Sequence, residues 1–128
     1  MNKSSWTKLI GIHRKNCEKI ITLSKDIRYV GAFNQYGRTI AGKIKPGVKP
    51  IFSPSAVREE FFAIASIMRL RQKSAKGLGP LEYVFIHHKK INVMLFSQNA
   101  MTYYITLNSK INPTSTLVTK IKKVITKI

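Results

Sequence analysis

Histidine, cysteine and paired acidic residues are the side chains of this sequence that could carry catalysis or hold a metal. His13 and Cys17 are four residues apart in a segment that we expect to be helical, so they would share one face. A thiol beside an imidazole can act as a nucleophile with its base. The same face is apolar, however, and a thiol among apolar side chains is commonly buried and unreactive. We therefore expect both residues to belong to the core.

The other chemistry-bearing residues do not form a site either. His87 and His88 are neighbours in a predicted strand and would point to opposite faces, so they cannot hold one metal ion together. The chain has only 5 acidic residues, and Glu59 and Glu60, which are adjacent, would diverge on a helix. Paired-carboxylate and two-metal chemistry is therefore disfavoured. We expect a protein that is not an enzyme and uses no metal or cofactor.

Positive charge is the unusual property of the composition. The chain has 23 lysine and arginine residues against 5 acidic ones, a net charge of +18 over 128 residues. Self-repulsion of this size destabilises a compact state, and a polyanionic partner would offset it. We therefore predict a nucleic-acid-binding protein, for RNA more than DNA, attached to a ribosome or to chromatin. Binding would be to the phosphate backbone, with low sequence specificity.

Two basic clusters are the predicted contacts with phosphate. One lies in a predicted hairpin and the proline-containing loop 45–53 that follows it, although this loop is equally compatible with a plain connection. The other lies at the end of the second predicted helix. Exposed aromatic side chains, with Tyr104 among the candidates, would stack on bases. The predicted nucleic-acid-binding residues are Arg38, Lys43, Lys45 and Lys49 in the first cluster and Arg69, Arg71, Lys73 and Lys76 in the second.

Three short apolar runs form the centre of the predicted fold. Leu81–His88, Ile91–Ser97 and Met101–Leu107 alternate with period two and are rich in β-branched and aromatic residues, as strands are. The links between them are short enough to require antiparallel hairpins. Apolar residues occur on both faces of each run, so we expect both faces of the sheet to be covered.

The remaining elements follow from periodicity and from their ends. A helix is predicted over 4–26, and a hairpin of two strands, Arg28–Asn34 and Arg38–Ile44, turns at Gly37. A second helix begins at Ser53-Pro54-Ser55 and stops before Pro80, and a third begins at Asn112-Pro113-Thr114. We therefore predict one α+β domain over 1–128, a five-stranded antiparallel sheet flanked by three helices in the order α-β-β-α-β-β-β-α.

The second predicted helix is apolar on two sides. One stripe would face the sheet, and the other, Ala63, Ile67 and Leu70, is displaced around the helix. A second apolar stripe often meets another protein, so we predict a homodimer contact there. A helix wedged between its sheet and a neighbouring loop would explain the pattern as well.

Local motifs carry a family resemblance. Cys17-Glu18-Lys19-Ile20, Asp26–Gly31 and Ile40-Ala41-Gly42, with Glu82–Phe85 more weakly, resemble a family of uncharacterised archaeal proteins with a roadblock/profilin-like domain. The order of elements is similar to that of roadblock and longin domains. The resemblance implies that two copies pair through a sheet edge and the middle helix. It also implies that the protein is a platform for small GTPases or scaffold complexes. The alternative function is therefore a homodimeric scaffold or GTPase-interaction platform that binds an acidic protein.

The sequence also indicates a location. No stretch approaches the roughly 18 consecutive apolar residues of a membrane span. Charged residues interrupt the N-terminal segment, which disfavours a signal peptide. A single cysteine excludes an internal disulfide and favours a reducing compartment. We expect a cytoplasmic protein.

Overall fold

The computed structural model describes residues 3–108, 110 and 114–126. Five antiparallel strands form one sheet in the order β2-β1-β5-β4-β3. The elements are, in chain order, α1 (Lys3–Ile21), β1 (Ile27–Phe33), β2 (Thr39–Ile44), α2 (Pro54–Lys73), α3 (Ala75–Leu78), β3 (Tyr83–His87), β4 (Ile91–Gln98), β5 (Met101–Asn108) and α4 (Ser115–Ile125).

The predicted fold class is confirmed, with differences at helix ends. The first helix stops at Ile21 and not at residue 26: the N–H groups of Thr22 and Leu23 donate to carbonyls three residues back, and the Ser24 side chain then accepts from the N–H of Asp26 in the turn that follows. The second predicted helix is divided in two, since α2 ends at Lys73 and the four-residue α3 follows Ser74. The short α3 was not predicted.

Side-chain caps fix where two helices begin. Ser53 caps α2 by accepting from the N–H of Ala56, and Pro54 occupies the first turn, as predicted. Thr114 caps α4 by accepting from the N–H of Leu117 at 3.1 Å. The other two residues of the predicted start of this helix, Asn112 and Pro113, lie outside the described residues.

Helices cover both faces of the sheet, as predicted. Alternation along β5 divides its side chains: Tyr103 and Ile105 join the core beneath α1 and α4, whereas Tyr104 joins the core beneath α2. The larger core includes Cys17, Ile20, Ile27, Val30, Met94, Phe96, Leu107, Leu117, Ile121 and Ile125. The smaller core includes Phe33, Phe61, Ile64, Ala65, Met68, Val93 and Leu95.

A buried polar cluster fastens α1 to the centre of the sheet. The Tyr103 hydroxyl accepts a hydrogen bond from Asn16 Nδ2 at 3.0 Å and lies 2.5 Å from His13 Nδ1. The phenol can donate its proton to His13 Nδ1 when the imidazole is neutral, so the one hydroxyl both accepts from Asn16 and donates to His13. Burial lowers the pKa of His13 below its ordinary value.

This cluster predicts a loss of stability in acid. The folded pKa of His13 is depressed, so the unfolded chain binds more protons as the pH falls through its ordinary value of 6.5. The free energy of unfolding should then decrease by up to about 1.4 kcal/mol per pH unit. Urea unfolding at pH values on either side of 6.5 measures this. His13→Asn, which keeps a polar group near Tyr103 but does not titrate, should lose the dependence, and an unchanged dependence would contradict the assignment.

The β1–β2 turn is fastened to the middle of α2. The Asn34 side chain accepts from the backbone N–H groups of Tyr36 and Arg38, each at 3.0 Å. Arg69 of α2 donates to the carbonyl of Gln35. Gly37 has φ +82°, which confirms the predicted left-handed turn residue, and it lies directly against the α2 backbone at Phe62.

Candidate interaction surface

The outer face of α2 carries an apolar stripe in solvent. Its inner residues, Phe61, Ile64, Ala65 and Met68, are buried against the sheet. Ala63, Ile67 and Leu70, which we call the α2 stripe, are spaced for one helix face and point away from the sheet. Ile67 is 50% exposed and Leu70 is 62% exposed. The alternative of a helix wedged under a loop therefore does not describe this face.

Further exposed apolar side chains lie near the stripe. Phe62, next to Ala63, is 62% exposed. Leu78 of α3 and Tyr83 of β3 are also exposed, and they line a shallow cavity together with Arg71 of α2. β3 is an edge strand, so one side of its backbone is open to pairing. The end of α2 and the edge of the sheet therefore meet on one side of the molecule.

The first basic cluster is distributed along β2 and the loop after it. Arg38 is exposed before the first residue of β2, and Lys45 follows its last residue. A strand of this length separates them by about 20 Å. Lys45 Nζ donates to the carbonyl of Ser24 at 2.8 Å, so its charge holds the loop against the protein. Lys49 instead lines a cavity of about 320 Å³, whereas the Lys43 side chain lies on the other face of the sheet.

The second basic cluster is divided by the contacts of Arg69. Its guanidinium donates to Gln35 and to Ser66 Oγ, and it lies 6.0 Å from the centroid of the Tyr36 ring. Arg71, Lys73 and Lys76 are exposed at the end of α2 and in α3. Of the eight predicted residues, Arg69 and Lys45 therefore have their charged groups in intramolecular contacts, whereas Arg38 and the rest of the second cluster are exposed.

Sequence reasoning missed Arg28 at the large cavity. β1 is irregular between Ile27 and Tyr29, where one extra residue faces β5, and Arg28 is that residue. Arg28 and Tyr29 therefore both line the cavity on the α2 side of the sheet. Strict alternation would have sent one of them to the other face, so no periodic pattern could reveal the pair.

The chemistry considered for the cysteine–histidine pair is disfavoured by its surroundings. Cys17 is fully buried, and this burial, with a smaller contribution from Glu18, raises the pKa of its thiol to about 12. Such a thiol is protonated at neutral pH. Among the described residues, no group of three histidine, cysteine, aspartate or glutamate side chains could hold a metal ion. Within the same residues no helix is both long and apolar enough to cross a bilayer.

Comparison with solved structures defines the class: the fold is that of roadblock/LC7 domains. A roadblock/LC7 domain from Streptomyces avermitilis superposes with a TM-score of 0.68 at 5% sequence identity, covering 89% of this chain and 92% of its own. The gliding protein MglB from Thermus thermophilus gives 0.67 at 12% identity, with coverages of 93% and 92%. An MglB structure with a tetrameric arrangement gives 0.66 at 13% identity, with coverages of 96% and 85%.

Sequence comparison adds nothing to this likeness, because no protein-family model and no curated protein matches the chain. The structural likeness corrects the prediction of a nucleic-acid-binding protein associated with a ribosome or chromatin, which was wrong. The solved structures that share this fold include roadblock/LC7 domains, MglB proteins and Acanthamoeba castellanii profilins, and they agree better with the roadblock-type alternative than with nucleic-acid binding. The aromatic stacking prediction also fails at Tyr104, which is only 2% exposed.

Proposed function

We propose that this protein is a non-enzymatic, homodimeric scaffold of the roadblock type that binds an acidic protein partner in the cytoplasm. The observation that carries the proposal is the α2 stripe, an apolar face left in solvent on the central helix of the fold. A small GTPase is one partner of this kind that the roadblock resemblance implies. Membership of an archaeal family and a single domain over 1–128 remain predictions.

A second copy of the same chain is the occupant that suits the α2 stripe. Ala63, Ile67 and Leu70 lie at spacings of four and three residues, so the stripe runs along the helix axis. Two copies related by a two-fold axis would place the same stripe on both sides of the contact, so an apolar face meets an identical apolar face. The open edge of β3 lies beside the end of α2 and could extend the contact by strand pairing.

Charge supports an acidic partner for the assembled dimer. Among the described residues one ion pair forms, between Lys122 Nζ and Glu82 Oε1 at 2.5 Å, so few of the basic side chains are neutralised within the chain. Arg71, Lys73 and Lys76 are exposed beside the proposed contact. An acidic protein surface would be steered to these cations and would relieve their mutual repulsion.

Salt is expected to act on the two proposed contacts in opposite directions. Two copies that each carry +18 repel one another, and added salt screens this repulsion, so the apolar dimer should strengthen. Binding of an acidic protein should weaken under the same change. Sedimentation velocity over a concentration series at low and high salt measures the first effect. A monomer at every concentration and salt level would contradict the dimer.

The partner is tested separately from the dimer. Affinity purification from the host, followed by mass spectrometry, should recover an acidic protein in a fixed ratio that is released by salt. The double variant Arg71→Glu with Lys73→Glu should abolish this capture. Its oligomeric state in sedimentation velocity should be that of the unmodified protein. Recovery that is unaffected by the charge reversal would place the contact elsewhere on the molecule.

A further inference from the structure

The cavity beneath the loop 45–53 has the properties of a ligand site. Its volume of about 320 Å³ falls at the lower end of the roughly 300–1,000 Å³ typical of small-molecule sites. The sheet forms its floor, Val57 and Phe61 of α2 form one wall, and the loop forms the other. The lining is mainly apolar, with Ile44 and Phe52 among its side chains.

Two buried polar atoms in this lining have no protein partner. Among the residues that the structure describes, the buried side-chain atoms without a hydrogen bond are Arg28 Nε and Thr106 Oγ1, and both residues line the cavity. Thr106 is only 3% exposed. A buried donor left unsatisfied destabilises a protein, so two of them in one cavity indicate a polar group that a ligand would supply.

The charge of the lining identifies the sign of that group. Arg28 and Lys49 are the basic side chains that line the cavity, since Lys43 pairs with Val30 and its side chain lies on the other face of the sheet, and within the described residues no acidic side chain lines it. Asp26 is nearby but is hydrogen-bonded by Asn108 Nδ2 at 3.4 Å, and Glu60 accepts from Tyr104 on the helix side. An anionic group would therefore meet two basic side chains, Arg28 and Lys49, and the unsatisfied atoms Arg28 Nε and Thr106 Oγ1.

The loop that closes the cavity is already held in place. The backbone N–H of Lys45 donates to the carbonyl of Arg28 at 2.9 Å, and Lys45 Nζ donates to the carbonyl of Ser24. The N–H of Val48 returns to the carbonyl of Lys45 at 3.1 Å. Pro46 and Pro50 restrict the backbone further. A ligand therefore loses little affinity to ordering this wall.

We propose that this cavity binds a small amphipathic carboxylate, whose apolar body lies against Phe52, Val57 and Phe61 and whose carboxylate accepts hydrogen bonds from Arg28 and Thr106. The site uses other residues than the α2 stripe, so it does not depend on the proposed dimer. The cavity holds one ring or a medium aliphatic chain, which excludes a whole phospholipid.

Calorimetry with three probes tests the site at physiological ionic strength. Decanoate should bind with one molecule per chain. Decan-1-ol, which lacks the charge, and acetate, which lacks the apolar body, should each bind at least about tenfold more weakly, since a charged hydrogen bond is worth a factor of this size. Absence of decanoate binding, or equal binding of decanoate and decan-1-ol, would overturn the proposal.

Variants separate a built site from general attraction to a cationic surface. Arg28→Met, which keeps an apolar stem, should weaken decanoate binding about tenfold or more. Lys90→Met removes the same charge from the exposed β3–β4 turn and should leave binding unchanged. Val57→Phe should fill the cavity and abolish binding, with circular dichroism confirming that it folds. Equal losses in the Arg28 and Lys90 variants would show that only net charge attracts the probe.

Discussion

Changing Ile67 to aspartate is expected to dissociate the proposed dimer, weakening self-association by roughly 100-fold or more. Ile67 is the middle residue of the α2 stripe, and in a two-fold dimer each substitution occurs twice. Both carboxylates would lose water in an apolar contact, and pairing with Arg71 one turn further along the helix would offset only part of that cost. Sedimentation equilibrium should then give the mass of a single chain at concentrations where the unmodified protein is dimeric.

Ile51→Asp is the matched control for this experiment. Ile51 is 48% exposed in the loop 45–53, whereas Ile67 is 50% exposed, so both variants replace the same side chain at nearly the same exposure. Both also lower the net charge by one. The control should remain dimeric and melt cooperatively. If both variants become monomeric, or neither does, the α2 stripe is not the contact.

Changing Gly37 to alanine is expected to produce the largest loss of stability among single methyl additions in the loops. At φ +82° any L-residue is strained, by about 1–2 kcal/mol. A Cβ at Gly37 would also lie 2.7 Å from the backbone Cα of Phe62, which cannot move independently of α2. Overpacking of this kind adds about 1–3 kcal/mol.

Gly47→Ala separates these two contributions. Gly47 has the same φ of +82°, but a Cβ there would meet no atom within 4 Å. Its cost should therefore be the conformational part alone, about 1–2 kcal/mol. Urea denaturation of both variants measures the difference. Equal losses of unfolding free energy in the two variants would mean that the β1–β2 turn can move away from α2 freely. That would contradict the hydrogen bond by which Arg69 holds this turn.

Hydrophobic periodicity and the residues that begin or end helices account for most of the fold that the sequence could predict. The strands were found because alternation and β-branched residues persist through 83–87, 91–98 and 101–108. Ser53-Pro54 marked the start of α2 because capping is local chemistry. The end of α1 was missed because its turn depends on a Ser24 side chain that is equally compatible with a helix.

Of the two candidate sites, the sequence predicts the α2 stripe but not the cavity. The α2 stripe was visible in the sequence because its residues recur on one side of a helix. The cavity was not visible, because its lining comes from β1, β2, the loop 45–53, α2 and β5. Arg28 reaches it through an irregularity in strand pairing that has no sequence signature here. Net charge misled the functional prediction, since it reports attraction to anions of any class.

The position of β5 in the sheet has a consequence for synthesis of the chain. β5 pairs with β1 through contacts such as Val30 with Ile105, so the first strand finds its inner neighbour only in the last one. Pairing of strands this far apart in sequence is a slow step of folding. The conformational entropy of the long intervening chain is lost before the contacts between the strands form. A nascent polypeptide would therefore hold its first hairpin unpaired on one side until residue 108 emerges. Premature termination anywhere before that residue should yield a protease-sensitive fragment and not a smaller folded protein.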